Sequence, residues 1–428
     1  MRIGWRVVGT GLIAASLWAA ASDVLAGWQR IDVPMEPFID ATGVTRTPSC
    51  SGGPVKGDDG WAVGDRQFSF FVRPGDDSRL VIALDGGGAC WNAATCVGSV
   101  LADNASYEAE VTEDVAYLDN ASGIGDVGEP SNPFRDFTLV LVPYCTGDLH
   151  WGSRETVYQH TGARGQVTEW TIHHRGFDNL LAVTRWLEDH YSGAGKGPTK
   201  VVVAGASAGG YGAMLASSVI REGLGAGTDM SVVVDSANGV ITPEVYRDAF
   251  GGSALSNGAW GVETTAPSFL QSLLALGYRI LPLSIFTALS SEYPDIRFGQ
   301  YTRAWDSIQI YFFNISKHSE DIRLWQRPGP LLESAGEWSA RARTLMALTT
   351  LLPSYRRYLG SGVLHTILVT DEYYTERSAG GISFNQWVTD LVSPPVSGHG
   401  SWRNLSCAPG CLGLDQLTPS ALLNAAGK

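Results

Sequence analysis

A serine flanked by glycines, Gly205-Ala206-Ser207-Ala208-Gly209, follows a β-branched run, Val201-Val202-Val203, and precedes Met214, Leu215, Val219 and Ile220 at helical spacing. Strand, tight turn and helix in that order make a nucleophile elbow, which lifts a serine hydroxyl above a sheet edge so that it can attack an ester carbonyl. Small residues on both sides tolerate the strained backbone and leave room for a substrate. The pentapeptide alone is a weak signal, because 51 glycines in 428 residues make chance matches common. Its weight depends on an oxyanion hole, a base and an acid arriving in workable order.

Leu84-Asp85-Gly86-Gly87-Gly88 closes an early strand, where this architecture supplies oxyanion donors. The amides of Gly87, Gly88 and Ala208 are the candidates. The base must follow the serine, so it is His318, His365 or His399. His318 lies in the polar run Lys317-His318-Ser319-Glu320, a solvated face, and His399 in the Gly-rich loop Ser397-Gly398-His399-Gly400. His365 follows a short strand and the turn Gly360-Ser361-Gly362, so it is the candidate base. Asp306 and Asp235 each stand at the end of an expected strand, and either could orient the imidazole. Position alone leaves that choice open. Neither glycine loop fits G-x-G-x-x-G, and Gly193-Ala194-Gly195-Lys196 precedes its strand, so no nucleotide cofactor is expected.

These residues need elements to position them. Patterning predicts strands over 67–73 and 80–84, joined by a turn at Pro74-Gly75-Asp76-Asp77, and over 137–143, 200–205, 231–234, 296–301 and 355–359. Helices are expected over 173–190, 331–350 and 384–391. Residues 100–135 read as a polar insertion and 242–295 as a helical cap. Strands alternating with helices imply an α/β fold with a mostly parallel sheet covered by helices on both faces. Without linkers, repeats or low-complexity tracts, residues 27–428 read as one domain.

The N-terminus carries Arg2 and Arg6, an apolar run from Val7 to Ala21, and Val24-Leu25-Ala26 before Gly27, which describes a signal peptide over 1–26 and a secreted protein, periplasmic or extracellular. No later stretch suits a membrane span. The net charge of −13, with no Lys/Arg cluster, argues against a nucleic-acid partner. Six cysteines suit disulfides in an oxidising compartment. Close spacing pairs Cys90 with Cys96 and Cys407 with Cys411, leaving Cys50 with Cys145. With no C-x-x-C and no H-E-x-x-H, no metal site is expected, and the chain is expected to be a monomer.

Together LDGGGACWNAATC (84–96), VPYCTGDLHWG (142–152), HHRGFDN (173–179), GASAGGYGA (205–213), DSANG (235–239), QYTRAWDSIQ (300–309) and LHTIL (364–368) resemble the pectin acetylesterase/Notum family, nearest its bacterial secreted branch. The blocks fall within residues 65–392. The resemblance implies an α/β-hydrolase-like fold and a carboxylesterase with no metal or organic cofactor. It implies Ser207 as nucleophile, Asp306 as acid, His365 as base, and Gly87, Gly88 and Ala208 as the oxyanion hole, leaving Asp235 as a pocket residue. Where the family often has an aromatic residue in the oxyanion loop, this chain has Gly88-Ala89, which leaves the acyl pocket's shape open. Asp148, His150 and Trp151 are candidates for the substrate cleft, with a hydrogen-bonded loop scaffold as the alternative. Trp91 and Trp151 could stack on sugar rings.

The expected activity is removal of short acyl groups, acetyl foremost, from a polysaccharide such as pectin or from a small ester. A hydrolase of longer acyl or polyester chains is the alternative, with the apolar stretch from Phe269 to Leu289 as its cap. A carbohydrate-binding protein without catalysis is the third reading.

Overall fold

Val201, Val202 and Val203 are all wholly buried, as are Val232, Val233 and Val234, because both runs lie inside a sheet covered on both faces. The computed structural model describes residues 20–25, 27–57, 60–112, 122–162, 165–191, 197–395, 400–411 and 417–425. Its main sheet contains β1 (Ala20–Leu25), β2 (Trp28–Asp32), β3 (Ser69–Arg73), β4 (Asp76–Leu84), β5 (Phe137–Val142), β6 (Lys200–Ala206), β7 (Asp229–Asp235), β8 (Arg297–Arg303), β9 (Tyr355–Gly360) and β10 (Leu405–Ser406). Their spatial order is β1-β2-β3-β5-β4-β6-β7-β8-β9-β10. Pairing is antiparallel from β1 to β5 and parallel from β5 onward. The expected mostly parallel α/β sheet is what the chain forms.

Alternate side chains of β6 go to opposite faces, as strand geometry demands. Val201 and Val203 join a core with helices α1 (Gly176–His190) and α2 (Ala208–Leu224), while Val202 and Ala204 join Phe384, Trp387 and Leu391 of α8 (Phe384–Val392). Three helices, α3 (Pro243–Phe250), α4 (Ser268–Leu274) and α5 (Leu281–Glu292), fill the insertion between β7 and β8 that was expected as a cap. Helices α6 (Ser307–Lys317) and α7 (Pro328–Thr349) follow β8.

Two local expectations change. The strands over 67–73 and 80–84 are consecutive but do not pair, because β5 lies between them. Residues 154–174 hold an unforeseen hairpin, Arg154–Thr161 against Val167–His174, so the helix expected from 173 begins at Gly176. The three disulfides join Cys50 to Cys145, Cys90 to Cys96 and Cys407 to Cys411, as the spacing implied. The expected leader lies outside the described residues apart from Ala20–Leu25, the outermost strand. No single helix among the described residues is long and apolar enough to cross a membrane.

The parallel strands share a direction, so their C-terminal ends share one edge. That edge receives the glycine loop after β4, Ser207 after β6, Asp235 ending β7, Asp306 after β8 and His365 after β9. Ligands of open α/β sheets bind outside the carboxyl ends of the strands.

Candidate active site

Ser207 stands between β6 and α2 with φ 56° and ψ −122°, a conformation that ordinarily costs a non-glycine residue about 1–3 kcal/mol. The turn is held because Ser207 N–H donates to the Asp235 carbonyl at 2.9 Å. It is also too tight for larger neighbours: a β-carbon at Gly205 would lie 2.0 Å from the Gly209 carbonyl oxygen. Helix α2 begins at Ala208, so its N-terminus, with unpaired amides and positive dipole end, starts directly beside the serine.

The loop after β4 is clamped by residues 106–108. Ala89 N–H donates to the Ser106 carbonyl and Glu108 N–H to the Gly87 carbonyl, each at 2.9 Å. Gly88, between them, has φ +80°, and a β-carbon there would lie 2.0 Å from the Ser106 oxygen, so only glycine fits. Gly88 and Ala208 line a pocket together with Ser207 and His365. Gly87 sits one step back, where a β-carbon would come within 2.6 Å of the Tyr144 ring.

His365 Nδ1 lies 2.7 Å from Asp306 Oδ1 and 2.9 Å from Oδ2. A carboxylate only accepts, so Nδ1 carries the proton and Nε2 presents its lone pair. Nε2 is buried and makes no hydrogen bond. Asp306 is fully buried and caps α6, its Oδ1 accepting from Gln309 N–H at 2.9 Å and its Oδ2 from the Gln309 amide at 3.0 Å. Two donors, both from Gln309, thus hold the carboxylate that orients the ring.

Above the serine, Val240, Ile241 and Val245 from the insertion, Ile308, Phe312 and Phe313 from α6, and Trp338 from α7 form an apolar wall. The pocket's open space totals about 650 Å³, mouth included. Trp91 and Trp260 also line it.

Asp235, expected in the pocket, and Asp148, His150 and Trp151, for which a cleft and a hydrogen-bonded loop scaffold were the two readings, are not among the residues lining this pocket. Asp235 is fully buried, and its Oδ2 accepts from Ile367 N–H at 2.6 Å and Leu368 N–H at 2.9 Å. Burial pushes its carboxyl up to about 6 against the pull of those amides. Asp148, also buried, accepts from Thr146 Oγ1, His150 N–H and Gly176 N–H at 2.6, 3.1 and 2.8 Å, tying the 142–152 loop to α1. His150 is drawn down to about 4 by burial, so it is neutral, with Nε2 2.9 Å from the Asp85 carbonyl. Trp151 Nε1–H donates to the Tyr211 carbonyl at 2.9 Å. All four spend their polar atoms on buried hydrogen bonds within the protein, as the scaffold reading has it. His318, the other downstream histidine, caps the C-terminal end of α6, the opposite end of that helix from Asp306, and His399 lies outside the described residues.

Gln309 was missed, although Asp306-x-x-Gln309 at a helix start has capping-box spacing that could have revealed it. The aromatic wall at Phe312-Phe313 carried no such signal.

Beside the oxyanion loop, burial first and the neighbouring Glu108 charge second push the Asp85 carboxyl up to about 7. A carboxyl with a raised folded-state pKa binds more protons folded than unfolded, so its contribution to stability is lost as pH rises from its unfolded value of 3.8 through about 7. Asp85→Asn is therefore expected to raise Tm relative to the natural protein by more at pH 8 than at pH 5. Melting curves at both pH values check this, and an equal difference at each would contradict it.

A family model described as pectinacetylesterase matches residues 68–245, which include the glycine loop, the 142–152 block and the elbow. No curated protein matches the chain. Among solved structures, that of the Wnt deacylase Notum from Drosophila is similar, with a TM-score of 0.50 and 18% identity, covering 80% of this chain and 89% of that one. At that identity the likeness concerns the fold, which is of the α/β-hydrolase kind.

Proposed function

The chain carries a pectinacetylesterase-family region at residues 68–245 on an α/β-hydrolase-like fold, and we propose that it is a secreted serine carboxylesterase. The observation that carries the reading is His365, with Nδ1 on a buried, fully partnered carboxylate and a bare Nε2 in the pocket that Ser207 lines.

Ser207 Oγ attacks the ester carbonyl as His365 Nε2 takes its proton, and the carbonyl oxygen becomes an oxyanion facing the amides of Gly88 and Ala208, with Gly87 behind. Asp306 holds the ring and stabilises the imidazolium without itself taking the proton. Collapse breaks the ester C–O bond, and His365 passes its proton to the departing alcohol, leaving acyl-Ser207. Water, deprotonated by the same imidazole, then releases the carboxylic acid and restores the serine. A non-catalytic role on this scaffold would leave the clamped glycine loop, strained serine and oriented histidine without a purpose.

The acyl group enters the apolar pocket. An acetyl group has one methyl to set against a wall of Val240, Ile241, Val245, Ile308, Phe312, Phe313 and Trp338, so the geometry favours a longer acyl chain. A buried methylene is worth about 0.8 kcal/mol, or roughly fourfold in kcat/KM. Across aryl esters from acetate to decanoate, kcat/KM is expected to climb beyond acetate before falling where the pocket ends. The second reading, deacetylation of a polysaccharide such as pectin, is favoured by the description of the matching family. A steep fall from acetate onward, with acetate release from acetylated pectin, would establish it instead. Three disulfides and the leader-like N-terminus support secretion, and the chain is read as a monomer acting on esters, not on nucleic acid.

A further inference from the structure

His365 lies on an irregular stretch, residues 361–370, held by neither helix nor strand geometry. What fixes it is a tether on each side. Before the histidine, the Gly362 and Val363 carbonyls accept from Trp305 N–H at 3.2 Å and Ser307 N–H at 2.8 Å, so this end is tied to the turn that carries Asp306. After it, three successive amides are bound by the end of β7. Thr366 N–H donates to Ser236 Oγ at 3.0 Å, and Ile367 and Leu368 N–H to Asp235 Oδ2 at 2.6 and 2.9 Å. Asp235 Oδ1 in turn accepts from Ser236 Oγ–H at 2.9 Å, which leaves the Ser236 lone pairs for Thr366. Ser236 and Thr366 both hold positive φ, 54° and 59°, on the two sides of that bond. Strain kept in facing residues shows that the contact is over-determined by its surroundings.

The same Asp235 reaches the nucleophile. Its backbone carbonyl accepts from Ser207 N–H at 2.9 Å while its side chain holds the histidine segment. One residue, at the end of one rigid strand, therefore touches both reacting partners' supports. Nothing on the pocket surface involves its carboxylate, which is wholly buried, so substrate binding does not account for it.

We propose that Asp235 is a positioning residue: its side chain anchors the His365 segment and its carbonyl anchors the Ser207 turn, which sets the spacing of base and nucleophile. The inference rests on Ser207 and His365 acting as proposed above. A placement error near 1 Å costs about 10²-fold in rate. Asp235→Asn, which keeps one acceptor oxygen and the side chain's size, is expected to lower kcat about 10²-fold, with KM within about twofold, and to slow fluorophosphonate labelling of Ser207 in parallel. Asp235→Ala is expected to lose more than Asp235→Asn. Ser236→Ala, which removes the Thr366 acceptor together with the hydroxyl that donates to Asp235 Oδ1, is expected to lower kcat by about tenfold while the Ile367 and Leu368 tethers remain.

Each variant is assayed well below its own melting temperature, alongside Ser207→Ala. A purely structural role for Asp235 predicts a lower Tm with kcat and labelling unchanged, and a folded Asp235→Asn within twofold of the natural kcat would overturn the proposal. Should Asp235→Asn not fold, Ser236→Ala decides in the same way. An active Ser207→Ala would instead remove the reading of the site, whereas an inactive one beside a fully active Asp235→Asn removes only this inference.

Discussion

Ser207→Ala is expected to hydrolyse aryl esters about 10⁶-fold more slowly than the natural chain, the scale of loss seen when a serine nucleophile is removed from a triad enzyme. The expectation follows from the site's construction. In the proposed mechanism every other group, the clamped glycine loop, the α2 N-terminus and the Asp306–His365 pair, acts on a tetrahedral intermediate that only an attached oxygen nucleophile creates. Alanine removes one oxygen atom and leaves the backbone at φ 56° equally strained, so Tm should scarcely move. Steady-state kinetics on a butyrate ester, with a melting curve on the same sample, make the test. Activity within about tenfold of the natural rate would place the nucleophile elsewhere.

Asp306→Asn is the second large effect, with kcat expected to fall by about 10⁴-fold, as when the corresponding carboxylate of a Ser-His-Asp triad becomes an amide. The cause is the tautomer. Asp306 now forces the proton onto Nδ1 by accepting at 2.7 Å. An amide offers one acceptor and one donor. Gln309 already donates to both oxygens, from its backbone N–H and its side chain, so the new NH₂ would face a donor whichever way it turned. The histidine is then free to carry its proton on Nε2, where it cannot accept one from serine. A loss of less than about tenfold in a folded variant would show that another group orients the imidazole.

Much of this site could be read in the sequence because its parts are local patterns. A valine run before Gly205, a glycine run after Leu84 and a short strand before His365 each announce an element by spacing alone, and parallel packing brings their ends to one edge. The hairpin at 154–174 was hidden because its strands are largely polar and half exposed, with burial confined to residues such as Tyr158 and Ile172. That leaves little apolar alternation to detect. Asp235 shows a different limit. An acid at the end of a strand looks the same whether it orients a histidine ring or holds the histidine's backbone, and only the 2.6 Å approach of Ile367 N–H separates the two. Asp148 and His150 mislead for the same reason: polar residues in a motif suggest a cleft, whereas here buried backbone amides and carbonyls consume their hydrogen-bonding capacity.

The crossing order of the sheet has a kinetic consequence. β4 is flanked by β5 and β6, which lie about 53 and 116 residues further along, so it cannot pair with either of them through a short turn. Long-range pairing of this kind closes large loops before contacts compensate for them, and it slows folding. The segment bearing His365 can seat only on β7 and β8 ends that are already in place. Esterase activity should therefore be among the last properties a refolding chain recovers, later than its secondary structure, so that the appearance of turnover times the completion of the sheet.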